Sequence, residues 1–119
     1  MRVFTTLFGF AFAATLPGAA MAERYAAITF SPSTGNYGTA WDFQTGTQAE
    51  TEAYYQCGTE DCDTVVVFTQ CGALAVGNGL YYGYAYDLSS ATAIDTAMQY
   101  CEAGTTNCQV MAAFCNKGY

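Results

Sequence analysis

The sequence predicts an α+β domain in which two β-β-α-β repeats share one mostly antiparallel six-stranded sheet, with both helices packed on one face. The first observation is a segment beginning at Tyr37 that recurs in similar form at Tyr82. The second is a series of two alanines and a cysteine at four-residue steps after each copy, and the third is an apolar run that closes each half. A duplicated supersecondary unit sets the architecture of a chain. We therefore expect a single domain, residues 23–119, with repeats at about 26–70 and 71–116.

Residues 1–22 have the pattern of a secretory signal peptide. Arg2 supplies a positive charge, an apolar run extends from residue 3 to residue 15, and small residues precede a cleavage site after Ala22. The run is shorter than the ~20 residues that a membrane-spanning helix needs. We therefore expect a cleaved protein in the periplasm or the external medium, with no membrane association after cleavage.

The cleaved chain would carry ten acidic and two basic side chains, which gives a net charge of −8. Nucleic acids and anionic membranes are bound through Lys and Arg, so the charge disfavours both as partners. A domain of 97 residues also has a small core, which is marginal without further stabilisation.

Six cysteines, all after the predicted cleavage site, indicate three disulfides in an exported protein. Two cysteines occupy equivalent positions in each repeat, so we expect each half to close its own bridge and the remaining two cysteines to pair. The predicted pairs are Cys57–Cys62, Cys101–Cys108 and Cys71–Cys115. The alternative, a zinc site built from thiolates, is disfavoured because the chain has no histidine and is expected to be exported.

The first strand is predicted at residues 26–31, and the turn-forming residues 32–36 lead into the second strand. In the second half, Asn78-Gly79 lies between two strand-like segments, residues 73–76 and 80–82. Asn-Gly is a strong hairpin signal because both positions tolerate positive φ. Each half therefore begins with a predicted β-hairpin.

The second strand of each hairpin alternates large residues with Gly-x-Ala. The large residues are Tyr37, Thr39, Trp41 and Phe43 in the first half and Tyr82, Tyr84, Tyr86 and Leu88 in the second. The small face fits beneath a closely packed helix, or against another group that approaches the strand backbone closely. The aromatic face has two interpretations: buried or half-buried cross-strand pairs, or an exposed binding platform for a protein or a sugar. The binding candidates are Tyr37, Trp41, Tyr82, Tyr84 and Tyr86.

Helices are predicted after each hairpin. Thr45 or Thr47 begins the first, because each is followed three residues later by Gln or Glu, as in a capping box. Gly58 and Gly104 are predicted to end the two helices. Alanines on one face of each helix allow close docking on a sheet.

Two further segments have alternative interpretations. The acidic residues 59–63 resemble a calcium loop in charge but lack its glycine and its distal glutamate, so a solvated turn is the better prediction. Residues 64–69 and 109–114 are continuous apolar runs, which are typical of central strands covered on both faces.

The sequence contains few groups for catalysis. It has no histidine, no Gly-x-Ser-x-Gly and no phosphate loop, and we expect no cofactor and no metal. Asp42 and Asp87 occupy equivalent repeat positions and are weak candidates for the paired carboxylates of glycoside hydrolysis. Aspartates at strand ends more often accept hydrogen bonds from turn amides, which is the role we expect.

Several segments together resemble a bacterial family of unknown function, number 4189. They are Tyr-Gly-x-Ala-Trp at 37–41, Cys-Gly at 57–58, Val-Val-Val-Phe at 65–68, Cys-Gly-Ala-Leu-Ala at 71–75 and a second, degenerate round ending at Cys115. The resemblance covers about residues 26–115 and implies a secreted or periplasmic bacterial protein. It implies no functional residues.

The resulting functional hypothesis is an exported, disulfide-stabilised binding module for a protein or an envelope glycan, acting as an inhibitor or accessory factor. The alternative hypothesis is a small hydrolase of glycans that uses Asp42 and Asp87. The oligomeric state does not follow from the sequence.

Overall fold

The computed structural model describes residues 23–119, so the predicted signal peptide, residues 1–22, lies outside the described residues. The elements are β1 (Tyr25–Phe30), β2 (Tyr37–Phe43), α1 (Gly46–Cys57), β3 (Asp63–Phe68), β4 (Cys71–Val76), a 3-10 turn (Asn78–Leu80), β5 (Tyr82–Asp87), α2 (Ser90–Glu102) and β6 (Gln109–Cys115). The order β-β-α-β occurs twice, as the sequence predicts. Neither α1 nor α2 has the length and apolarity that a membrane span requires.

The strands form two separate three-stranded antiparallel sheets, in the orders β2-β1-β3 and β5-β4-β6. The prediction of one six-stranded sheet is therefore wrong. The prediction that both helices lie on one face of a shared sheet is wrong for the same reason, since α1 packs on β1 and β2 while α2 packs on β4 and β5.

The two faces of the middle strands explain this arrangement. On β1, Ala27 packs against the alanines of α1, whereas Ile28 and Phe30 belong to a core shared with the second sheet. On β4, Ala73 packs against α2 and Leu74 enters the same shared core. A helix covers the small face of each sheet, so the large faces can be buried only against each other. The sheets therefore pack face to face, with one helix outside each.

The two continuous apolar runs lie in outer strands, not in the central strands that the sequence predicts. β3 and β6 each pair with one neighbour, and most of β6 is exposed. The middle positions belong to β1 and β4, whose small faces lie beneath a helix and whose large faces lie in the core shared by the two sheets. Val67 on β3 and Val110 on β6 are exposed, so these outer apolar runs are not covered on both faces.

The Gly-x-Ala faces lie directly beneath the helices, as predicted. A methyl group at Gly38 would overlap the carbonyl oxygen of Ala53 and lie 2.6 Å from the nitrogen of Cys57. In the second half, a methyl group at Gly83 would meet the backbone of α2 in the same way, 2.5 Å from the nitrogen of Cys101. Each helix backbone therefore rests on a strand backbone with no side chain between them.

The three disulfides are Cys57–Cys62, Cys101–Cys108 and Cys71–Cys115, the pairs that the repeat predicts. The first two join each helix end to the segment before the last strand of its own half. The third joins β4 to β6.

The helix ends follow the predicted caps with one exception. The Thr45 hydroxyl accepts the Gln48 N–H at 3.1 Å, and Gly58 ends α1 in the left-handed region at φ 83°. The second helix ends one residue earlier than predicted, with Ala103 as its cap in a right-handed conformation. Gly104 has a packing role instead, because a methyl group there would overlap the ring of Tyr81.

The contact at Gly38 gives a first test. Gly38→Ala should lower the free energy of unfolding by about 3 kcal/mol, because the new methyl group must push α1 away from the sheet. Urea denaturation of the oxidised protein measures this. Gly46→Ala is the matched control: its methyl group would meet the flexible Val67 side chain at 3.2 Å, so a change below about 1 kcal/mol is expected. Equal effects of the two substitutions would contradict the close contact.

Candidate functional site

Two grooves lie at equivalent places in the two halves, each between the outer strand of a hairpin and the following helix. The first groove, about 290 Å³, is lined by residues 39–41 and 43 of β2 and by Glu52 and Gln56 of α1. The second, which we call the tyrosine groove, is about 520 Å³ and is lined by residues 81–86 and by Thr96, Tyr100 and Ala103. Thr96 and Tyr100 occupy the repeat positions of Glu52 and Gln56. The grooves are therefore duplicated and have diverged.

The divergence changes the chemistry of the groove walls. In the first groove the Glu52 carboxylate accepts a hydrogen bond from the Gln56 amide at 2.8 Å, so the wall is polar and charged. The residues lining the tyrosine groove include five tyrosines and no charged side chain. Two of these tyrosines are largely exposed, Tyr86 at 64% and Tyr100 at 61%. The second half thus presents an uncharged aromatic surface where the first presents an acidic one.

The structure divides the predicted binding residues between the two halves. Tyr82, Tyr84 and Tyr86 line the tyrosine groove, and the rings of the first two stack with centroids 6.3 Å apart. Trp41, 53% exposed, lines the first groove and packs against Phe114 with centroids 5.5 Å apart. Tyr37 is partly exposed at the start of β2.

Sequence reasoning missed Tyr81 and Tyr100 as groove residues. Tyr81 precedes the predicted repeat segment. Tyr100 can be found by aligning the two helix sequences on their alanines and cysteines, because it then stands at the position equivalent to Gln56.

The candidate catalytic residues Asp42 and Asp87 both accept hydrogen bonds from backbone amides. The Asp42 carboxylate accepts the Lys117 N–H at 2.7 Å, and its own N–H donates to the Asn116 side-chain oxygen at 2.9 Å. The Asp87 carboxylate accepts the Ser89 N–H at 3.2 Å, just before α2. These are the structural roles expected for aspartates at strand ends.

The sheet also separates the two aspartates. Asp87 pairs with Cys71 on β4, which pairs in turn with Cys115 on β6. Neighbouring strands lie about 5 Å apart, so the Asp87 backbone is about 10 Å from the end of β6. The Asp42 carboxylate is bound beyond that end, by the Lys117 N–H. The catalytic role of Asp42 and Asp87 stays a prediction.

Asn116, which the sequence does not single out, ties the two halves together. It is buried, and its side-chain amide donates to the Phe68 carbonyl at 3.2 Å while its oxygen accepts the Asp42 N–H. Its own N–H donates to the Gln70 carbonyl at 2.9 Å. The residue after the last cysteine therefore bonds to both outer strands of the first sheet.

Residues 25–115 match the family model described as domain of unknown function DUF4189. The chain belongs to this family. Protein Rv1269c of Mycobacterium tuberculosis is 40% identical over 62 residues, which cover 52% of this chain and 49% of that protein. Uncharacterized protein Rv1813c of the same organism is 39% identical over 81 residues, which cover 68% of this chain and 55% of that protein. The DUF4189 chain thus spans about half the length of the curated relatives it matches.

A solved structure, the NMR structure of Rv1813c from Mycobacterium tuberculosis, is similar to the DUF4189 chain. The match has a TM-score of 0.61 at 29% identity and covers 98% of this chain and 94% of that one. The two proteins therefore share their fold.

The acidic loop of this DUF4189 chain is held by hydroxyl groups. The Asp61 carboxylate accepts hydrogen bonds from the Ser31 and Ser33 hydroxyls, both at 2.6 Å, and from the Thr59 hydroxyl at 3.2 Å. The bond from Ser31, followed by that from Ser33, lowers the pKa of Asp61 from 3.8 to about 2. Within residues 23–119, no three His, Cys, Asp or Glu side chains are grouped to hold a metal ion. The loop is thus fastened to the β1–β2 turn.

The lowered pKa of Asp61 gives a second test. A carboxyl group whose pKa is lower in the folded state than in the unfolded state stabilises the fold when it is ionised. For Asp61 this contribution is complete above about pH 4 and is lost as the pH falls towards 2. We expect Asp61→Asn to lower the thermal midpoint at neutral pH and to converge with the parent protein near pH 2. Asp63→Asn is the matched control, because it removes the same charge two residues later, at the exposed first residue of β3. Its thermal midpoint should change with pH as that of the parent does. If the thermal midpoint of Asp61→Asn also changes with pH as that of the parent does, Asp61 does not stabilise the fold through its ionised carboxylate.

Proposed function

We propose that this DUF4189 domain is an exported, disulfide-stabilised binding module whose ligand site is the tyrosine groove. The observation that carries the proposal is the divergence of the two grooves on an otherwise duplicated framework. Each half keeps a glycine beneath its helix, an alanine seam and a disulfide at the helix end. Only one half lines its groove with tyrosines.

The packing of helix on sheet does not require a tyrosine at position 100. The equivalent helix position in the first half is Gln56, and it supports the same packing of helix on sheet. A side chain as large as Tyr100, exposed at 61%, leaves apolar area in water. Contiguous aromatic surface of this kind is typical of ligand-binding sites.

The groove favours an envelope glycan over a protein surface. Its volume of about 520 Å³ lies within the range of small-ligand sites. Tyrosine offers an apolar ring face together with a hydroxyl group, and a sugar ring presents apolar C–H faces together with hydroxyls. The lack of charged side chains among the lining residues favours an uncharged ligand.

The compartment is part of the proposal. Three disulfides in a chain of this size are typical of proteins of oxidising compartments. Together with the leader-like pattern of residues 1–22, they support a periplasmic or secreted protein.

The binding proposal predicts retention of glycan fractions from the cell envelope on the immobilised, oxidised protein. Tyr86→Ala and Tyr100→Ala should each weaken binding about tenfold or more, a factor that corresponds to about 1.4 kcal/mol. Tyr55→Ala is the matched control, because Tyr55 is a tyrosine 72% exposed on α1, outside the tyrosine groove. Isothermal titration with the retained, purified oligosaccharide measures all three.

Two outcomes would contradict the proposal. One is equal binding by the two groove variants and the Tyr55 control. The other is capture of proteins with no retained glycan, which would assign the groove to a different class of ligand.

A further inference from the structure

Three of the four outer strands are interrupted by bulges. Register shifts occur where β2 and β3 pair with β1, and where β6 pairs with β4. β5 alone among them pairs in continuous register, from Tyr82 to Asp87. Bulges hinder the pairing of an outer strand with another chain, so β5 is the strand edge best suited to accept one.

The phase of the hydrogen bonds on β5 follows from its hairpin. The Gly77 N–H donates to the Tyr81 carbonyl at 2.9 Å, which makes this facing pair a hydrogen-bonded one. Facing pairs alternate along an antiparallel ladder, so the residue after Tyr81, and every second residue beyond it, belongs to a pair without hydrogen bonds to β4. The backbone groups of Tyr82, Tyr84 and Tyr86 therefore point away from β4, towards the open edge.

The β4–β6 ladder gives the same phase independently. Cys71 and Cys115 face each other with Cα atoms 3.9 Å apart, the close spacing of a pair without hydrogen bonds. Cys71 must then direct its N–H and C=O to the other side, towards Asp87 on β5. The pair formed by Cys71 and Asp87 is therefore hydrogen-bonded, which agrees with the alternation deduced from the Gly77–Tyr81 pair.

Nothing in residues 23–119 pairs with the outward groups of β5. The edge carries no lysine and no proline, and its one acidic residue is Asp87 at the end of the strand. It runs beside the tyrosine groove, and Tyr84 and Tyr86 are exposed. An edge that carries its one charge at the end of the strand, and that has no proline and no bulge, is a template for another strand.

We propose that the occupant is a second copy of this chain, whose β5 pairs antiparallel with the first about a twofold axis at Tyr84. In this register Tyr84 faces Tyr84 of the second copy and Tyr82 faces its Tyr86, so all the outward backbone groups find partners. The facing tyrosines form cross-strand aromatic pairs. Asp87 faces Tyr81 of the second copy, so the two negative charges do not oppose each other.

A twofold axis between paired antiparallel strands is perpendicular to the sheet, so α2 of both copies lies on the same face. The second sheets of the two copies join into one sheet of six strands, and β5 of each copy lies against residues that line the tyrosine groove of the other. The inference stands on the backbone geometry of β5 and does not depend on the ligand.

Charge supplies an opposing force with a measurable signature. Residues 23–119 of each copy carry a net charge of −8, which opposes association. Raising the ionic strength from about 0.01 to about 0.1 M shortens the Debye length from about 30 to about 10 Å. Dimerisation should therefore tighten with salt.

Sedimentation velocity of the oxidised, exported protein tests the pairing across concentrations from about 5 to about 500 µM, the range of moderate dimer affinities. We expect a concentration-dependent dimer. Tyr84→Glu should abolish it by placing two carboxylates opposite each other, and a mixture of Tyr84→Glu with Tyr84→Lys should restore it as a heterodimer. Thr39→Glu, at the equivalent position of β2, is the matched control and should leave the dimer intact.

Amide hydrogen exchange provides a readout that a folding defect would not imitate. The Tyr84 and Tyr86 amides should become protected as concentration rises, whereas those of Gly83 and Ala85 should be protected throughout. A monomer across the whole concentration range would overturn the proposal. So would a dimer that survives Tyr84→Glu, or Tyr84 exchange that is independent of concentration.

Discussion

The close approach of each helix to the glycine of the strand beneath it is the contact on which the rest of the structure depends. Gly38 and Gly83 let the helix backbones rest on the sheets, and this requires small residues over the whole covered face. The large side chains must then lie on the opposite face, where only the other half can bury them. Disulfides at the helix ends hold the helices in place and contribute about 2 kcal/mol each on the loop-entropy model.

Duplication also lets the two halves of one framework diverge. The outer strand of the first half is bulged at Asp42, whose φ of 65° lies in the left-handed region and whose N–H is bonded to Asn116. The equivalent strand β5 is regular, and the Asp87 carboxylate accepts the Ser89 N–H in the turn before α2. The first half thus anchors the end of the chain, and the second keeps an open edge and a groove without charge.

Local and repeated patterns could be predicted from the sequence: the order of elements, the cysteine pairs, the cap at Thr45 and the small face beneath each helix. Alternation shows which residues share a face but not what covers it, and for this reason one sheet was predicted where two form. The bond from Asn116 to Phe68 spans 48 residues, and that from Ser31 to Asp61 spans 30. Contacts between such distant positions depend on the packing of the sheets and leave no local pattern.

The packing of the two sheets is tested most directly by NOE spectroscopy on the oxidised protein. The rings of Phe30 and Tyr82 lie 4.9 Å apart between their centroids, and those of Trp41 and Phe114 lie 5.5 Å apart, each pair joining one sheet to the other. We expect strong cross-peaks between the protons of both ring pairs. Backbone Hα–Hα cross-peaks between β3 and any strand of the second half, in the absence of those ring contacts, would contradict two sheets packed face to face.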